Sequence, residues 1–540
     1  MLAGTPVIVL KEGTETEEGR DAQREIIRAG WTVSDSLRTA LGPRGLDKML
    51  VSPSGDVVIT NDGTTILKEM EVEHPAAKIL VEVAKAQDQE CGDGTKTSVI
   101  LTGELLHRAE ELLDERVHPT AITQGYQQAA DMALRLLTEI ARPVRREDTE
   151  TLRRIATTSM ISKGVAPVRE FLSSLAVRAV TEVVEEREGT TRFDRKNIQM
   201  VKKQGGEVEG TELLEGRIID QPCLHPGMPR FVGPARIALV EGALEVKKTE
   251  FSAEIRISTP EQVELFQGEE ERMLRAMADS VASSGANVLV CEKGIDDLAG
   301  EHLARSGIYA IRRAKREDME MLAKATGGRL VARAQDLSGA DLGSAGRVEE
   351  RQIGEDRLTV VTGCPHARSV SLLIRGGTQH VVDEVERSLA DALATVGIAL
   401  EDGLVATGAG ATAVEVGRRL RSYASTVAGR EQMAVRAFAD ALEVIPMTLA
   451  ENAGMDKIDA LIELRRRHAE GELHAGVDVL RSRIAPMDDV AVEPIRVARQ
   501  EIEGAVAAAT MILRIDAVVS AKRPRGGGAG GAPSGEGSPH

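Results

Sequence analysis

The chain has 540 residues, and its 85 acidic and 68 basic side chains give a formal net charge of −17. That length predicts three or four domains, because a single hydrophobic core seldom organises more than about 250–300 residues. So acidic a chain argues against nucleic acid as the main partner, since phosphate binding needs a net basic face. The sequence shows neither a run of about 18 apolar residues that would predict a membrane span nor the basic and apolar start of a signal peptide.

The four cysteines, Cys91, Cys223, Cys291 and Cys364, are far apart, and none forms a CxxC pair. Zinc sites and disulfide frameworks need closer or paired spacings, so we expect free thiols and a reducing compartment. The sequence therefore predicts a cytoplasmic protein.

The N-terminal third is predicted to be mostly helical, because its apolar residues recur at helical spacing and its breaks fall at Gly and Pro. The predicted elements, in chain order, are a helix over 20–40 that ends near Leu41-Gly42-Pro43, a strand over 57–60, a helix over 64–85, a loop over 92–95 and a helix over 96–115.

The middle of the chain, about 216–365, alternates short apolar strands with helices and so predicts an inserted α/β domain. Its clearest unit is a parallel βαβ made of a strand over 287–291, a helix over 296–306 and a strand over 308–311. Helices then return over 379–400, 411–427 and 431–452, and the Gly-rich residues 526–540 are expected to be disordered.

The sharpest local motif is Gly92-Asp93-Gly94-Thr95-Lys96-Thr97, just before a predicted helix. Glycines let the backbone approach a ligand, and the free N–H groups of a helix N-terminus favour an anion. Asp93 is suited to hold magnesium beside phosphates. The motif is not a Walker A loop, and it is also compatible with a plain glycine turn capped by threonine.

Three further positions are weaker candidates when taken alone. Asn61-Asp62-Gly63-Thr64 and Gly408-Ala409-Gly410 each precede a helix, but ordinary turn chemistry explains both. Asp391 falls off the apolar face of its helix, one turn after Arg387, where an exposed ion pair would be the simplest interpretation.

Taken together, segments from about Pro6 to Lys522 resemble the group II chaperonins, which include the archaeal thermosomes and the eukaryotic cytosolic chaperonin. The segments that carry the resemblance are Gly19–Gln23, Leu41–Leu50, Thr60–Leu67, Glu73–Lys78, Gly92–Thr95, Ile374–Thr378, Val492–Pro494 and Met511–Asp516.

The resemblance implies a multi-domain α+β subunit. A mostly helical equatorial ATPase domain would comprise 1–146 and 403–525, and a small intermediate hinge domain 147–216 and 368–402. Residues 217–367 would form an α/β apical, substrate-binding domain with a helical lid protrusion at about 247–275. Such subunits bind non-native client proteins and assemble, with copies or sister subunits, into two stacked rings; they use ATP and Mg²⁺.

The resemblance also implies roles for individual residues. Asp93 would bind magnesium, Asp391 would activate the attacking water and Asp62 would help to place it. The residues implied to bind ATP are Leu41, Gly42, Pro43, Gly94, Thr95, Lys96, Thr97, Lys163, Gly408, Gly410, Asp478 and Glu493. Among them, the resemblance implies that Gly408, Gly410, Asp478 and Glu493 border the ribose and base. In the lid, Val263, Leu265 and Phe266 precede a polar gap before Met273, Leu274 and Met277, and a helix lying on the apical sheet is the alternative.

Three departures from the family pattern bear on turnover: Lys96 stands for a threonine, Ala409 for the middle glycine of a triplet, and Thr412-Ala413 for Pro-Glu. Lys96 would either add a phosphate contact or alter ATP turnover. We therefore keep two alternatives to an ATP-hydrolysing chaperonin: a ring subunit that holds clients with little hydrolysis, and an unrelated monomeric phosphotransferase.

Overall fold

The computed structural model describes residues 14–52, 55, 57–70, 72, 74–187, 189–246, 260–354, 356–365 and 369–521. The N-terminal residues 1–13, the predicted tail 526–540 and residues 247–259 of the predicted protrusion lie outside these ranges. No helix in the described ranges is both long enough and apolar enough to cross a membrane.

The α-helices are α1 (Gly19–Arg38), α2 (Gly63–Glu69), α3 (Pro75–Cys91), α4 (Thr95–Asp114), α5 (Pro119–Ile140), α6 (Thr149–Met160), α7 (Arg169–Val183), α8 (Pro260–Ser283), α9 (Asp297–Arg305), α10 (Arg316–Thr326), α11 (Gln379–Asp402), α12 (Ala411–Ala424), α13 (Glu431–Leu442), α14 (Val444–Asn452), α15 (Lys457–Ala469) and α16 (Ile495–Leu513).

The β-strands are β1 (Thr14–Glu18), β2 (Lys48–Val51), β3 (Val57–Thr60), β4 (Arg142–Pro143), β5 (Glu185–Arg187), β6 (Thr190–Arg192), β7 (Ile198–Gln204), β8 (Glu212–Leu214), β9 (Gly216–Ile219), β10 (Phe231–Val232), β11 (Ala235–Val240), β12 (Val288–Cys291), β13 (Tyr309–Ile311), β14 (Leu330–Val331), β15 (Gly343–Ala345), β16 (Arg347–Ile353), β17 (Asp356–Thr362), β18 (Val370–Gly376), β19 (Leu404–Thr407), β20 (Ala475–Asp478), β21 (Arg483–Pro486), β22 (Val492–Pro494) and β23 (Ala517–Ala521).

Two predicted helices are each divided in the structure. The helix predicted over 64–85 is wrong as a single element, because Pro75 lacks a backbone N–H and begins a new helix, α3, behind an N-cap at His74. The helix predicted over 431–452 is likewise α13 and α14, which meet at Glu443. The other predicted helices and strands named above occur with ends shifted by a few residues.

The largest hydrophobic core joins the two ends of the chain. Its buried side chains come from α1, α3, α4 and α5 and from the late helices α12–α16. Helix α4 packs against both α1 and α16, and β1 pairs antiparallel with β23, Thr14 opposite Ala521. Segments more than 300 residues apart in sequence therefore share one packed body.

The middle of the chain has its own core around a sheet of order β13-β12-β11-β14. Strands β12 and β13 run parallel, with α9 between them in sequence, so the predicted βαβ unit is confirmed. A third core lies between these two and is formed by α6, α7 and α11 with β7 and β18. The protein is thus a multi-domain chain of mixed helix and sheet.

The predicted protrusion, 247–275, is described only from the start of α8. Leu265 and Met273 are exposed there, whereas Leu274 is buried and Met277 packs against the middle core. Residues 247–259 and the side chains of Val263 and Phe266 lie outside the described part.

Candidate functional site

The Gly92–Thr97 segment is a tight turn between two helices. Helix α3 ends at Gly92 and α4 begins after Gly94, and both glycines have left-handed backbones, with φ of 69° and 82°. The Gln87 side-chain amide donates to the Asp93 carbonyl (2.8 Å), and the Gly94 N–H donates to the Asp93 carboxylate (2.7 Å). The predicted loop at a helix N-terminus is therefore present, and Asp93 is fixed within it.

Neighbouring groups leave no room for a side chain at Gly92 or Gly94. A Cβ on Gly94 would lie 2.6 Å from the Glu501 carboxylate oxygen Oε1, and one on Gly92 would lie 2.7 Å from the Cβ of Ala394 on α11. A side chain at either position would collide with these groups. The glycines thus let α16 and α11 approach the turn from two sides.

A first cavity of about 220 Å³ opens beside this turn. It brings together most of the predicted ATP-binding residues, although they come from distant parts of the chain. Its walls include Leu41, Gly42, Pro43, Asp93, Gly94, Thr95, Lys96, Thr97, Gly410, Asp478 and Glu493. Gly408 lies next to it, since a Cβ there would be 3.4 Å from Glu493 Oε2. Lys163 is the one predicted ATP-binding residue placed elsewhere.

Four carboxyl residues line this cavity: Asp93, Asp478, Glu493 and Glu501. Burial raises the pKa of Asp93, although the charge of Lys163 opposes the shift. Burial and the neighbouring Asp93 raise the pKa of Glu493 to about 7. Burial, Glu493 and Asp93 raise the pKa of Glu501, while a hydrogen bond with Thr97 opposes them. Burial and mutual repulsion therefore favour the protonated forms of Asp93, Glu493 and Glu501, and a bound cation would favour ionisation of Asp93.

A second cavity, of about 320 Å³, adjoins the first and shares Asp93, Thr95, Lys96 and Ser162 with it. It contains both predicted catalytic carboxylates, Asp62 and Asp391. Lys163, on the turn after α6, forms an ion pair with Asp391 on α11. Arg387 instead pairs with Glu384 (2.6 Å), so the exposed Arg387–Asp391 pair considered from the sequence does not form.

Burial and the ion pair have opposite effects on the pKa of each of these two side chains, Asp391 and Lys163. Burial raises the pKa of Asp391 to about 7, and the charge and hydrogen bond of Lys163 oppose that shift. Burial lowers the pKa of Lys163, but Asp391 outweighs it, so the pKa of the ammonium is raised. Lys163 therefore stays a cation while Asp391 can gain or lose a proton near neutral pH.

Asp62 and Lys96 are held by local contacts. Asp62 caps α2 and accepts hydrogen bonds from the Thr65 N–H (2.8 Å) and hydroxyl (2.7 Å). The Lys96 ammonium donates to the Ala40 carbonyl (2.9 Å), the Asn61 carbonyl (3.1 Å) and the Asn61 side chain (2.7 Å). Burial lowers the pKa of Lys96 to about 8 against the pull of Asp62 and Asp93. Its three donors are thus directed at protein acceptors.

Comparison with known proteins identifies the fold family. The sequence model of the TCP-1/cpn60 chaperonin family matches residues 33–523. The chain belongs to this family. It is 51% identical to thermosome subunit beta of Archaeoglobus fulgidus over 98% of both chains, and 53% identical to the thermosome subunit of Methanopyrus kandleri over 97% of this chain and 96% of that one.

A solved structure that is similar to this chain also comes from the chaperonin family. The open-state monomer of a group II chaperonin from Methanococcoides burtonii is 41% identical and superposes with a TM-score of 0.63, covering 78% of this chain and all of that one. The resemblance to group II chaperonins is confirmed, and the chain is a chaperonin subunit of the thermosome type. Its general role is in protein folding.

Sequence reasoning missed three residues at the chaperonin's cavities: Glu501, Asp88 and Arg195. Glu501 carried a signal, because it lies four residues after buried Val497 and four before buried Ala505 on α16. A charged residue on such an apolar stripe indicates a special environment. Asp88 and Arg195 gave no comparable signal, since each lies among polar neighbours.

The residues present fit a magnesium–phosphate ligand. Asp93 is a buried carboxylate with a raised pKa, which a cation would relieve. The Thr64 hydroxyl is buried at the second cavity and has no hydrogen-bond partner within the described ranges. Those ranges hold no set of three His, Cys, Asp or Glu arranged to bind a metal alone. Asp93 would therefore share magnesium with phosphate oxygens and water, a common arrangement for this ion.

Proposed function

We propose that this chaperonin subunit binds Mg²⁺–ATP in the first cavity and hydrolyses it at the second. The observation that carries the proposal is that Asp93, Asp62, Lys163 and Asp391 all line the second cavity, which shares Asp93 with the first. Asp391 and Lys163 are 228 residues apart in sequence and are nevertheless in contact. Isolated turn chemistry does not explain such convergence.

Asp391, Asp62 and Lys163 have different roles in the proposed hydrolysis. Asp391, when ionised, accepts the proton of the attacking water, and Asp62, fixed by Thr65, helps to orient that water. Lys163 supplies a positive charge beside the transferring phosphoryl group, and bound magnesium would neutralise phosphate charge. The glycine turns bring backbone N–H groups to the phosphates.

We further propose that ATP binding and hydrolysis drive closure of a built-in lid over a cavity that holds non-native protein. The three cores support a division into an equatorial domain (1–146 and 403–525), an intermediate domain (147–216 and 368–402) and an apical domain (217–367). Because α11 belongs to the intermediate part and carries Asp391, movement of that part would complete or open the site. Exposed Leu265 and Met273 on α8 are suited to apolar clients or neighbouring lids.

By the same family argument, the subunit would assemble with copies or sister subunits into two stacked rings in the cytoplasm. The mass of the purified protein with and without Mg²⁺–ATP tests this part. A particle of about sixteen or eighteen subunits is expected from the family resemblance, and a monomer in both conditions would contradict it.

The decisive test of the chemistry compares Asp391→Asn with Asp383→Asn, a control on the same helix whose side chain pairs with Lys202 outside the cavities. We expect Asp391→Asn to lower steady-state hydrolysis by about 100-fold or more, because a general base is lost. Binding of Mg²⁺–ATP should persist, and the control should behave as wild type. A wild-type protein that binds clients but hydrolyses nothing would favour the holding function instead.

A further inference from the structure

His468, near the end of α15, is buried and has a hydrogen-bond partner on each ring nitrogen. Its side chain is 0% exposed. Nδ1 lies 3.0 Å from the Glu415 carboxylate on α12, and Nε2 lies 2.9 Å from the Ala475 carbonyl oxygen on β20. The ring therefore bridges a helix and a strand that are 60 residues apart at these two positions.

The two partners determine how many protons the ring carries. A carbonyl oxygen only accepts hydrogen bonds, so Nε2 must donate and carry a proton. An ionised carboxylate also only accepts, so Nδ1 must carry the other. A neutral ring would fit only if Glu415 were itself protonated.

Protonation of Glu415 is opposed by its other contacts. Its oxygens also accept from Arg418 (2.7 and 3.1 Å) and Arg419 (2.7 Å). Burial acts to raise the pKa of Glu415, but the hydrogen bonds from His468, Arg418 and Arg419 outweigh it and lower that pKa to about 2. The carboxylate is thus ionised, and both ring nitrogens of His468 face hydrogen-bond acceptors.

This bridge lies directly behind the first cavity. Helix α12 begins at the Gly408–Gly410 loop, four residues before Glu415, and the Val477 N–H on β20 donates to the Ala409 carbonyl (3.0 Å). Val477, Asp478, Ala409 and Gly410 all line the cavity. Two contacts therefore hold together the loop and the strand that form one cavity wall. The Val477–Ala409 hydrogen bond lies at the cavity, and the His468 bridge between Glu415 and Ala475 lies away from it.

We propose that His468 is a doubly protonated positioning residue that fixes β20 against the Gly408–Gly410 loop and so sets the affinity of the cavity for the nucleoside part of its ligand. This inference rests on the proposed function for the ligand but not for the protonation state. Loss of either ring proton would release α12 or β20 from the bridge.

The charged groups on the elements around α15 do not offer the ring another partner. Arg419 also binds Glu139 on α5, and Glu443, before α14, binds Arg421 and Arg465. Asp478 on β20 pairs with Arg481 and with Arg483 on β21. The ring nitrogens themselves face only Glu415 and Ala475 among the described residues.

The protonation state is tested on the assembled wild-type protein by solid-state ¹⁵N NMR of labelled histidine at pH 7.5. The chain has ten histidines, and the His468→Asn spectrum identifies the signal of interest by difference. We expect two protonated ring nitrogens for His468, whereas an ordinary exposed histidine is mostly neutral at this pH. One bare nitrogen would overturn the proposal, whether or not nucleotide binds.

The positioning role is tested by the affinities of His468→Asn for Mg²⁺–ATP and for Mg²⁺–tripolyphosphate, with His380→Asn at an exposed position on α11 as the control. We expect ATP to bind about tenfold more weakly, the size of one lost hydrogen bond to a charged group, with tripolyphosphate unchanged and turnover at saturating ATP close to wild type. Equal weakening of both ligands, or unchanged ATP affinity, would overturn the proposal. A wild type that binds neither ligand would contradict the proposed function instead.

Discussion

The two adjoining cavities are built differently, although they share Asp93, Thr95, Lys96 and Ser162. The walls of the first come chiefly from elements of the large core, such as α4, α12 and α16. The second lies between that core and the neighbouring one, because Lys163 and Asp391 follow α6 and lie on α11. The first cavity is thus formed mainly within one body, with Thr158, Ile161 and Ser162 of the neighbouring body at its edge, and the second requires two bodies to meet.

This difference suggests how binding and chemistry are kept apart. The part of the first cavity that one core forms keeps its shape when the neighbouring body moves, because cores are densely packed. A carboxylate on the neighbouring body joins the site only while the two are in contact. Substitutions should therefore separate into those that change binding and those that change only the rate.

The largest effect is expected for Asp93→Asn, because Asp93 belongs to both cavities. Loss of its charge should weaken Mg²⁺-dependent ATP binding and also reduce turnover by about 100-fold or more. Isothermal titration and steady-state hydrolysis measure the two effects. If Asp93→Asn bound Mg²⁺–ATP normally, as we expect of Asp391→Asn, the contrast between the cavities would be wrong.

The next prediction concerns pH. Because the pKa of Asp391 is raised to about 7, its carboxyl is mostly protonated below that pH and is then not available as a base. Turnover at saturating ATP should therefore rise about tenfold between pH 6 and pH 8 and then level off, while ATP affinity changes less. A rate that is flat, or that falls as pH rises through 7, would argue against Asp391 as the base.

A smaller effect is expected for Lys96→Met, with Lys85→Met as a control whose ammonium forms an exposed pair with Glu82. Lys96 holds Asn61 next to Asp62, so its loss should lower turnover roughly threefold to tenfold through misplacement of Asp62. ATP affinity should hardly change. The reverse result, weaker binding with normal turnover, would show that Lys96 contacts phosphate.

The smallest effect is expected for Ala409→Gly. Ala409 has a left-handed backbone with φ of 55°, which costs a residue with a Cβ about 1–2 kcal/mol. Glycine removes that cost, but its greater conformational entropy in the unfolded chain lowers the free energy of unfolding by about 0.4–1 kcal/mol. Urea unfolding should thus show a gain of about 1 kcal/mol or less. Marked destabilisation would mean that the contacts of the Ala409 methyl group matter more than backbone strain.

The sequence alone predicted the elements that depend on local signals. The Gly42-Pro43 break, the Gly92–Thr97 turn and the apolar β12 and β13 strands all have short-range causes. The break at Pro75 also had such a cause, and the single helix over 64–85 overlooked it.

The site itself could not be predicted from local pattern. Nothing in the neighbourhood of Asp391 indicates Lys163, because the two meet only through the packing of α6 against α11. The role of Lys96 was likewise open, since its acceptors on Ala40 and Asn61 depend on how α1 ends beside α4. Asp391, Lys163 and Lys96 were predicted as site residues from the family resemblance, and their contacts are known only from the structure.

The pairing of the two chain ends has a consequence for the order of synthesis. Helices α1 to α5 emerge from the ribosome first, yet their core lacks α16 until about 355 further residues have been made. At usual elongation rates this interval lasts roughly 20–70 s. The middle core draws on one continuous stretch of chain and can fold within that interval. A nascent chaperonin subunit therefore exposes the apolar faces of α1 to α5 for much of its own synthesis. Such a chain has the features of a client protein for chaperonins that are already assembled.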